Sequence, residues 1–138
     1  MATYNKYTNA VGPMLEAMNS GSDSWKVALA ATVTATDTTF TAGTTDLATG
    51  GGYTAGGSAA TISTHAVTAG VYKLVLNSPA TWTASGAGFS FRYVILYDST
   101  TNTPVGYWDY GSTITMNGTN GDTFTVTLDA TNGVFQVS

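Results

Sequence analysis

The chain has 138 residues and a formal net charge of −4, with only 9% charged but 43% hydrophobic residues. Soluble domains usually have about 25% charged residues. The composition excludes a disordered chain, which lacks apolar residues, and a nucleic-acid-binding protein, which needs clustered Lys and Arg.

The sequence also indicates in which cellular compartment the protein is made. Cys is absent, which excludes disulfides and thiolate metal sites. The first ten residues lack the features of a secretion signal, and no window has the roughly 20 apolar residues of a membrane span. We therefore expect one domain that is made in the cytoplasm, with no membrane and no nucleic acid as partner.

Residues 1–22 are predicted to form an N-terminal helical segment or arm. Their larger side chains recur at steps of three and four, the spacing of one helix face. They are Tyr4, Tyr7, Val11, Met14 or Leu15, and Met18. Gly12-Pro13 predicts a kink in this helix. The helix either packs against its own domain or docks on a neighbouring copy.

Residues 23–138 are predicted to form a β-sandwich domain. Large apolar residues alternate with other residues over 25–29, as in a half-buried strand. The stretch 34–58 is rich in Thr, Gly and Ala and is too long for an ordinary connection, which indicates a functional loop. Glycine clusters flank Tyr53, and we expect this part of the loop to reach out and adapt.

The second half of the chain predicts short strands. They are expected around 60–67 and at 71–76, 80–84, 89–97, 105–110, 113–116, 123–128 and 134–137. The strand at 89–97 is apolar on both faces and is therefore central. One face is predicted to carry Phe89, Phe91, Tyr93, Ile95 and Tyr97. Asn117-Gly118 and Asn120-Gly121 predict hairpin turns.

Eight to ten short strands with Thr-rich outer faces predict an all-β fold. The expected class is an antiparallel β-sandwich, and a jelly roll is one arrangement compatible with it. Thr suits a half-buried pleated surface because it is β-branched and uncharged. With only 4 Lys and Arg in the chain, few charges protect the strand edges from pairing with another chain.

No residue pattern predicts catalysis or a cofactor. His65 is the only histidine, and no nucleophile motif surrounds any Ser, so we interpret His65 as an ordinary strand residue. The glycine run 50–52 lacks the Lys of a phosphate-binding loop. We predict no catalytic residue and no cofactor.

Several Asn and Asp residues are compatible either with a calcium site or with simple turns. Asn117, Asn120 and Asp122, joined by Asp98 or Asp109, have the oxygen ligands that calcium prefers. The same residue types are typical of hairpin turns. We interpret them as turn residues and predict no metal.

The segment 107–110 is the densest aromatic feature. In a strand, Trp108 and Tyr110 share one face, and Tyr107 and Asp109 share the other. The three rings either pack inside a covered strand or form an aromatic surface for a protein or a sugar.

Five segments spread over the chain carry a resemblance to a known family. They are MATYNKY (1–7), GYTAGG (52–57), FRYVILY (91–97), GYWDYGS (106–112) and TFTVTLDATNGV (123–134). Together they resemble small structural proteins of tailed-bacteriophage virions, both head-associated and tail-associated. Residues 8–18 depart from the family, which has a more regular charged helix there.

The resemblance implies a capsid decoration, or cement, protein on the capsid surface of the virion. Its partners would be the major capsid protein, whose subunits it bridges without catalysis, and copies of itself. Such a protein needs surfaces that can be buried without an unpaired charge. The residues predicted to supply these contacts are Tyr4, Tyr7, Tyr53, Tyr107, Trp108 and Tyr110.

Three alternatives belong to other classes. One is a tail-associated protein, either a structural component or a receptor-binding protein that stacks Trp108 and Tyr110 on a host glycan. Another is an enzyme that degrades host polysaccharide, and the third is a free sugar-binding module.

Overall fold

The computed structural model describes residues 2–10, 12 and 19–138, and this part of the chain contains ten strands. They are β1 (Thr3–Lys6), β2 (Trp25–Ala30), β3 (Ser58–Ala59), β4 (Ile62–Thr68), β5 (Val71–Leu76), β6 (Trp82–Thr83), β7 (Phe89–Asp98), β8 (Thr103–Met116), β9 (Thr123–Phe124) and β10 (Phe135–Val137). Every strand pair is antiparallel. The predicted all-β sandwich is confirmed.

The strands form three sheets. The largest has five strands in the order β1-β8-β7-β2-β3, the second has the order β10-β5-β4, and β6 pairs with β9. The predicted strands at 105–110 and 113–116 are one continuous strand, β8, and of the predicted strand 123–128 only β9 is paired.

The main core lies between the five-stranded sheet and the two smaller sheets. Trp25, Val27 and Leu29 of β2 point into it and are 0–2% exposed, as their alternation predicted. Leu74 and Leu76 of β5 close the core from the opposite side. Burial of such side chains contributes about 1.5–3 kcal/mol each, and this core therefore holds the layers together.

A second, smaller core covers the other face of the five-stranded sheet. Phe40, from the long loop, stacks on Tyr97 of β7 with ring centroids 3.7 Å apart. Tyr7 is buried beside them, together with Ala28 and Ile95. The central strands are therefore covered on both faces, which explains why β7 is apolar on both faces from Tyr93 to Tyr97. The prediction that the strand at 25–29 is half-buried is wrong, because Ala28 lies in the second core.

A bulge inverts the side-chain alternation within β7. Phe91 pairs with Ile114, but Tyr93 pairs with Asp109, so Arg92 lies opposite an excess of residues in β8. At this irregularity the side chains of β7 change face: Phe91 points into the main core and Tyr93 into the second core. The prediction that one face carries Phe89, Phe91, Tyr93, Ile95 and Tyr97 is therefore wrong, since the first two contribute to the main core and the last three to the second core.

The chain begins with an edge strand. Tyr4 lies in β1 directly opposite Trp108 of β8, so the helix predicted through Tyr4 is wrong at residues 3–6. A spacing of three residues fits one helix face but places Tyr4 and Tyr7 on opposite faces of an extended chain. The other residues of the predicted helix face, Val11, Met14, Leu15 and Met18, lie outside the described residues.

The long loop is fixed rather than outstretched. The buried Asp46 carboxylate accepts hydrogen bonds from the Gly43 and Gly56 backbone N–H groups, both at 2.6 Å, and from the Tyr53 hydroxyl at 2.5 Å. The Tyr53 hydroxyl in turn accepts the Leu29 N–H at 3.1 Å. The prediction that this loop reaches outward is wrong because the Asp46 carboxylate holds Gly43 and Gly56 together and, through the Tyr53 hydroxyl, fixes them to β2.

We expect these buried tyrosines to make the protein sensitive to alkali. Burial, with the nearby Asp46 carboxylate, raises the pKa of Tyr97 to about 12, and burial also raises the pKa of Tyr53 and Tyr7. Because the folded-state values lie above the unfolded value of about 10, this stabilisation is complete below about pH 10 and is lost as the pH rises toward the folded values. Tyrosinate absorbance and circular dichroism, followed during one alkaline titration, should therefore show late ionisation together with unfolding. Ionisation of all 8 tyrosines with an intact spectrum would contradict this expectation.

Candidate functional site

Three aromatic residues form a partly exposed surface where β1 and β8 meet, and we name Tyr4, Trp108 and Tyr110 the aromatic edge. Tyr4 and Tyr110 are 38% and 39% exposed, and Trp108 is half-buried. The Tyr4 and Trp108 rings lie on directly opposed residues, with centroids 5.0 Å apart. The aromatic edge therefore presents large rings at the rim of the molecule.

A glycine makes room for the Tyr4 ring. Gly106 lies opposite Lys6, two residues along β8 from Trp108, and a Cβ atom at Gly106 would fall 2.0 Å from the Tyr4 hydroxyl oxygen. The ring therefore lies flat over the Gly106 backbone. Burial raises the pKa of Tyr4 to about 12, so its hydroxyl stays protonated at neutral pH.

The buried side of the Tyr110 ring packs against residues of the main core. Its ring contacts Phe91 and Phe124 edge-on, with centroids 6.4 and 5.9 Å away. Aromatic pairs in this geometry contribute about 0.5–1.5 kcal/mol beyond their area. The exposed part of the Tyr110 ring is thus a rigid feature that loses little entropy when a partner covers it.

The charges beside the aromatic edge neutralise each other. The Arg92 guanidinium donates to both carboxylate oxygens of Asp109, at 2.7 and 2.9 Å, and the Gly111 N–H donates to the same carboxylate at 2.7 Å. This pairing holds the pKa of Asp109 below its usual value. Arg92 also lies over the Tyr93 ring, 5.2 Å from its centroid. At this part of the rim the charges of Arg92 and Asp109 therefore compensate each other.

Three of the predicted contact residues lie elsewhere. Tyr7 is 0% exposed and Tyr53 is 2% exposed, so the prediction that their rings face a partner is wrong. Tyr107 points to the opposite face from Trp108, where its ring packs edge-on against Tyr7 at 5.3 Å. The aromatic character of Tyr7 and Tyr107 was a signal for the second core, which sequence periodicity did not reveal, whereas Tyr53 is part of the main core.

Of the possible calcium ligands, Asn117, Asn120 and Asp122 share one turn, but neither Asp98 nor Asp109 joins them. Asp98 and the turn containing Asn117 and Asp122 lie at opposite ends of the β7–β8 ladder. In that turn the Asp122 carboxylate accepts the Asn117 N–H at 2.8 Å, as in an ordinary turn. Within residues 2–10, 12 and 19–138, no group of three His, Cys, Asp or Glu residues is arranged to hold a metal ion.

Among residues 2–10, 12 and 19–138, β4 has a pairing partner on one side only, and sequence reasoning located this exposed strand edge only in general terms. Strand β4 pairs with β5 on one side, and its residues from Ser63 to Thr68 are exposed. Val67 is 67% exposed, the largest value among the exposed large hydrophobic residues. His65, on the same strand, lies against Gly21. The signal in the sequence is a seven-residue strand without a single Lys, Arg, Asp or Glu.

Comparison with known proteins adds no relative. No family model matches the chain, and searches of curated proteins and of solved structures give no match. In the described ranges no helix has the length and apolar character needed to cross a membrane.

Proposed function

We propose that this protein is a virion structural protein of a tailed bacteriophage, most specifically a capsid decoration protein that binds and bridges major capsid protein subunits. The observation that carries the proposal is the aromatic edge, a firmly packed, partly exposed aromatic surface at the rim of the sandwich, beside which Arg92 and Asp109 neutralise each other. Protein interfaces favour aromatic residues at their centres and exclude unpaired charges from them. The resemblance of five segments to virion structural proteins supports the same function.

The energetics of burial favour a protein partner. Covering an unpaired charge is costly, whereas Arg92 and Asp109 already satisfy each other. Tyr4 and Tyr110 contribute apolar area, and their fixed positions reduce the entropy lost on binding. A shell of identical capsid subunits would present the complementary surface many times, and weak contacts are then sufficient.

The copy number in purified virions tests the proposal directly. The band of this protein is quantified against the major capsid protein on a denaturing gel. Hundreds of copies per particle are expected for a capsid decoration protein. A dozen or fewer would contradict this location and favour the tail-associated alternative, in which the aromatic edge stacks on a host glycan.

A matched pair of variants tests the aromatic edge. Tyr110→Lys places a charge on the proposed contact, and Val137→Lys places one on β10, at a side chain that is 49% exposed against 39% for Tyr110. We expect Tyr110→Lys to lower the occupancy on particles about tenfold or more, since an interface centre tolerates an unpaired charge poorly, while Val137→Lys retains it. Folding of both variants is checked by circular dichroism. Equal occupancy of both variants would show that the aromatic edge does not contact the capsid.

A further inference from the structure

We propose that β4 is a self-association site at which two copies of the chain pair antiparallel about Ala66 and join two three-stranded sheets into one sheet of six strands. The occupant of the free edge is thus a second β4. This inference concerns the isolated protein and is independent of the capsid proposal.

The hairpin between β4 and β5 determines which backbone groups are free. Ala69 and Gly70 form a two-residue turn with φ of 51° and 81°, which is the type I′ geometry. Thr68 and Val71 flank this turn, so they exchange both of their backbone hydrogen bonds. Along an antiparallel pair, hydrogen-bonded and non-hydrogen-bonded positions alternate. Ala66 therefore bonds to β5, whereas His65 and Val67 direct their N–H and C=O groups away from it.

These free groups are self-complementary. When two β4 strands run antiparallel about Ala66, His65 of one copy lies opposite Val67 of the other and exchanges two hydrogen bonds with it. The symmetry repeats this pair, so four backbone hydrogen bonds form. Ala66 then lies opposite its own counterpart at a non-hydrogen-bonded position. The register uses the regular stretch from Thr64 to Thr68 and avoids the irregularity between Ile62 and Thr64.

The side chains permit this pairing. Strand β4 carries no Lys, Arg, Asp, Glu or Pro, so no charge is buried and no N–H is missing. Val67, which is 67% exposed, would be covered beside the His65 of the partner. Lys73 of β5 lies opposite Ala66 of β4. In the dimer the two copies of Lys73 would lie three strand spacings apart, about 14 Å, which exceeds the screening length of about 8 Å.

The other sheet edges are less suited to pairing. Strand β1 carries Lys6, a charge that blocks edge pairing, and β3 is only two residues long. Strand β10, the opposite edge of the same sheet, has three residues. Strand β4 is longer than these edges, is exposed and carries no Lys, Arg, Asp or Glu. It is therefore the edge strand best suited to pair with the same strand of a second copy.

The interface is small, which sets the expected affinity. Five residues a side are far fewer than the roughly 20–30 of a stable interface, so we expect a weak dimer in dilute solution. Copies held side by side on a larger particle would experience a millimolar effective concentration, and the same pairing would then be populated.

Cysteine trapping tests the register, because the chain has no native cysteine. Opposed residues at a non-hydrogen-bonded position have Cα atoms about 4.5 Å apart, within the range that a disulfide spans. Ala66→Cys should therefore form a covalent dimer. Thr64→Cys is the matched control on the same face, because two copies of residue 64 would be four residues apart, about 13 Å.

The measurement is the rate of dimer formation under mild oxidation, read on a non-reducing gel with the full chain. We expect Ala66→Cys to cross-link about tenfold faster than Thr64→Cys or more. Equal rates, or a faster rate for Thr64→Cys, would overturn the proposed pairing.

A second measurement separates pairing at the strand edge from contact through the sheet face. Val67 and Val137 both lie opposite Tyr72, on the two edges of the sheet. Combined with Ala66→Cys, Val67→Lys should abolish the rate advantage, whereas Val137→Lys should preserve it. Equal losses in both variants would show that the apolar row through Tyr72 is the contact and would contradict edge pairing.

Discussion

Replacing Asp46 with Ala is expected to lower the free energy of unfolding by about 3–5 kcal/mol, because each buried donor left without an acceptor costs about 1–3 kcal/mol. The carboxylate accepts from two backbone N–H groups and the Tyr53 hydroxyl in a site where Asp46 is 7% exposed. Its loss would release both ends of the loop that carries Phe40 over the five-stranded sheet. The measurement is the midpoint of urea-induced unfolding, followed by tryptophan fluorescence.

Asp129 provides the matched control for this prediction. Its exposed carboxylate also accepts two backbone N–H groups, from Thr131 and Asn132, each at 2.8 Å. Water can replace the lost acceptor there, so Asp129→Ala should destabilise the fold much less than Asp46→Ala. Tyr53→Phe should fall between the two, since it leaves Leu29 N–H without its acceptor. If Asp46→Ala were no more destabilising than Asp129→Ala, the proposed anchoring of the loop would be wrong.

Replacing Gly57 with Ala is expected to destabilise the fold by more than about 4 kcal/mol, a size reached only where a mutation disrupts the core or the backbone. Gly57 has φ of +70°, and a Cβ atom there would fall 2.1 Å from the Val27 carbonyl oxygen. That oxygen belongs to β2 in the middle of the main core and cannot move without disturbing the strand. Thermal unfolding by circular dichroism measures the effect.

Gly70→Ala is the control that distinguishes the cost of the steric clash with β2 from the cost of the left-handed backbone conformation. Gly70 has φ of +81° but no atom within 4 Å of the Cβ position. Both substitutions pay the cost of a left-handed backbone, about 1–2 kcal/mol, and only Gly57→Ala adds the clash with β2. Similar losses of stability in the two variants would show that the close approach at Gly57 has no energetic weight.

Much of the fold could be predicted from alternation, and the exceptions have physical causes. Strand β2 was predicted by the period-two pattern of Trp25, Val27 and Leu29, because one of its faces meets the main core. The faces of β7 could not be predicted, since the bulge at Arg92 depends on pairing with a distant segment of β8. Tyr4 and Tyr7 show the same ambiguity, because their spacing fits both a helix face and two faces of an extended chain.

The sequence pattern likewise predicts some residues of the candidate site correctly and misplaces others. Trp108 and Tyr110 were placed on one face by strand geometry, and the structure has them there. The role of Asp46 carried no periodic signal, because its three donors come from a hydroxyl and from backbone groups of an irregular loop. The sequence therefore predicts Tyr53 as an exposed contact, whereas in the structure its ring is buried and its hydroxyl is part of that network.

The second core, in which Phe40 and Tyr7 cover one face of the five-stranded sheet, has a consequence for any larger assembly. With that face already covered by the chain itself, a partner reaches this sheet only from its rim. Copies joined at their rims extend sideways, in the plane of the layers. A coat built in this way would keep the thickness of a single domain, however many copies it contained.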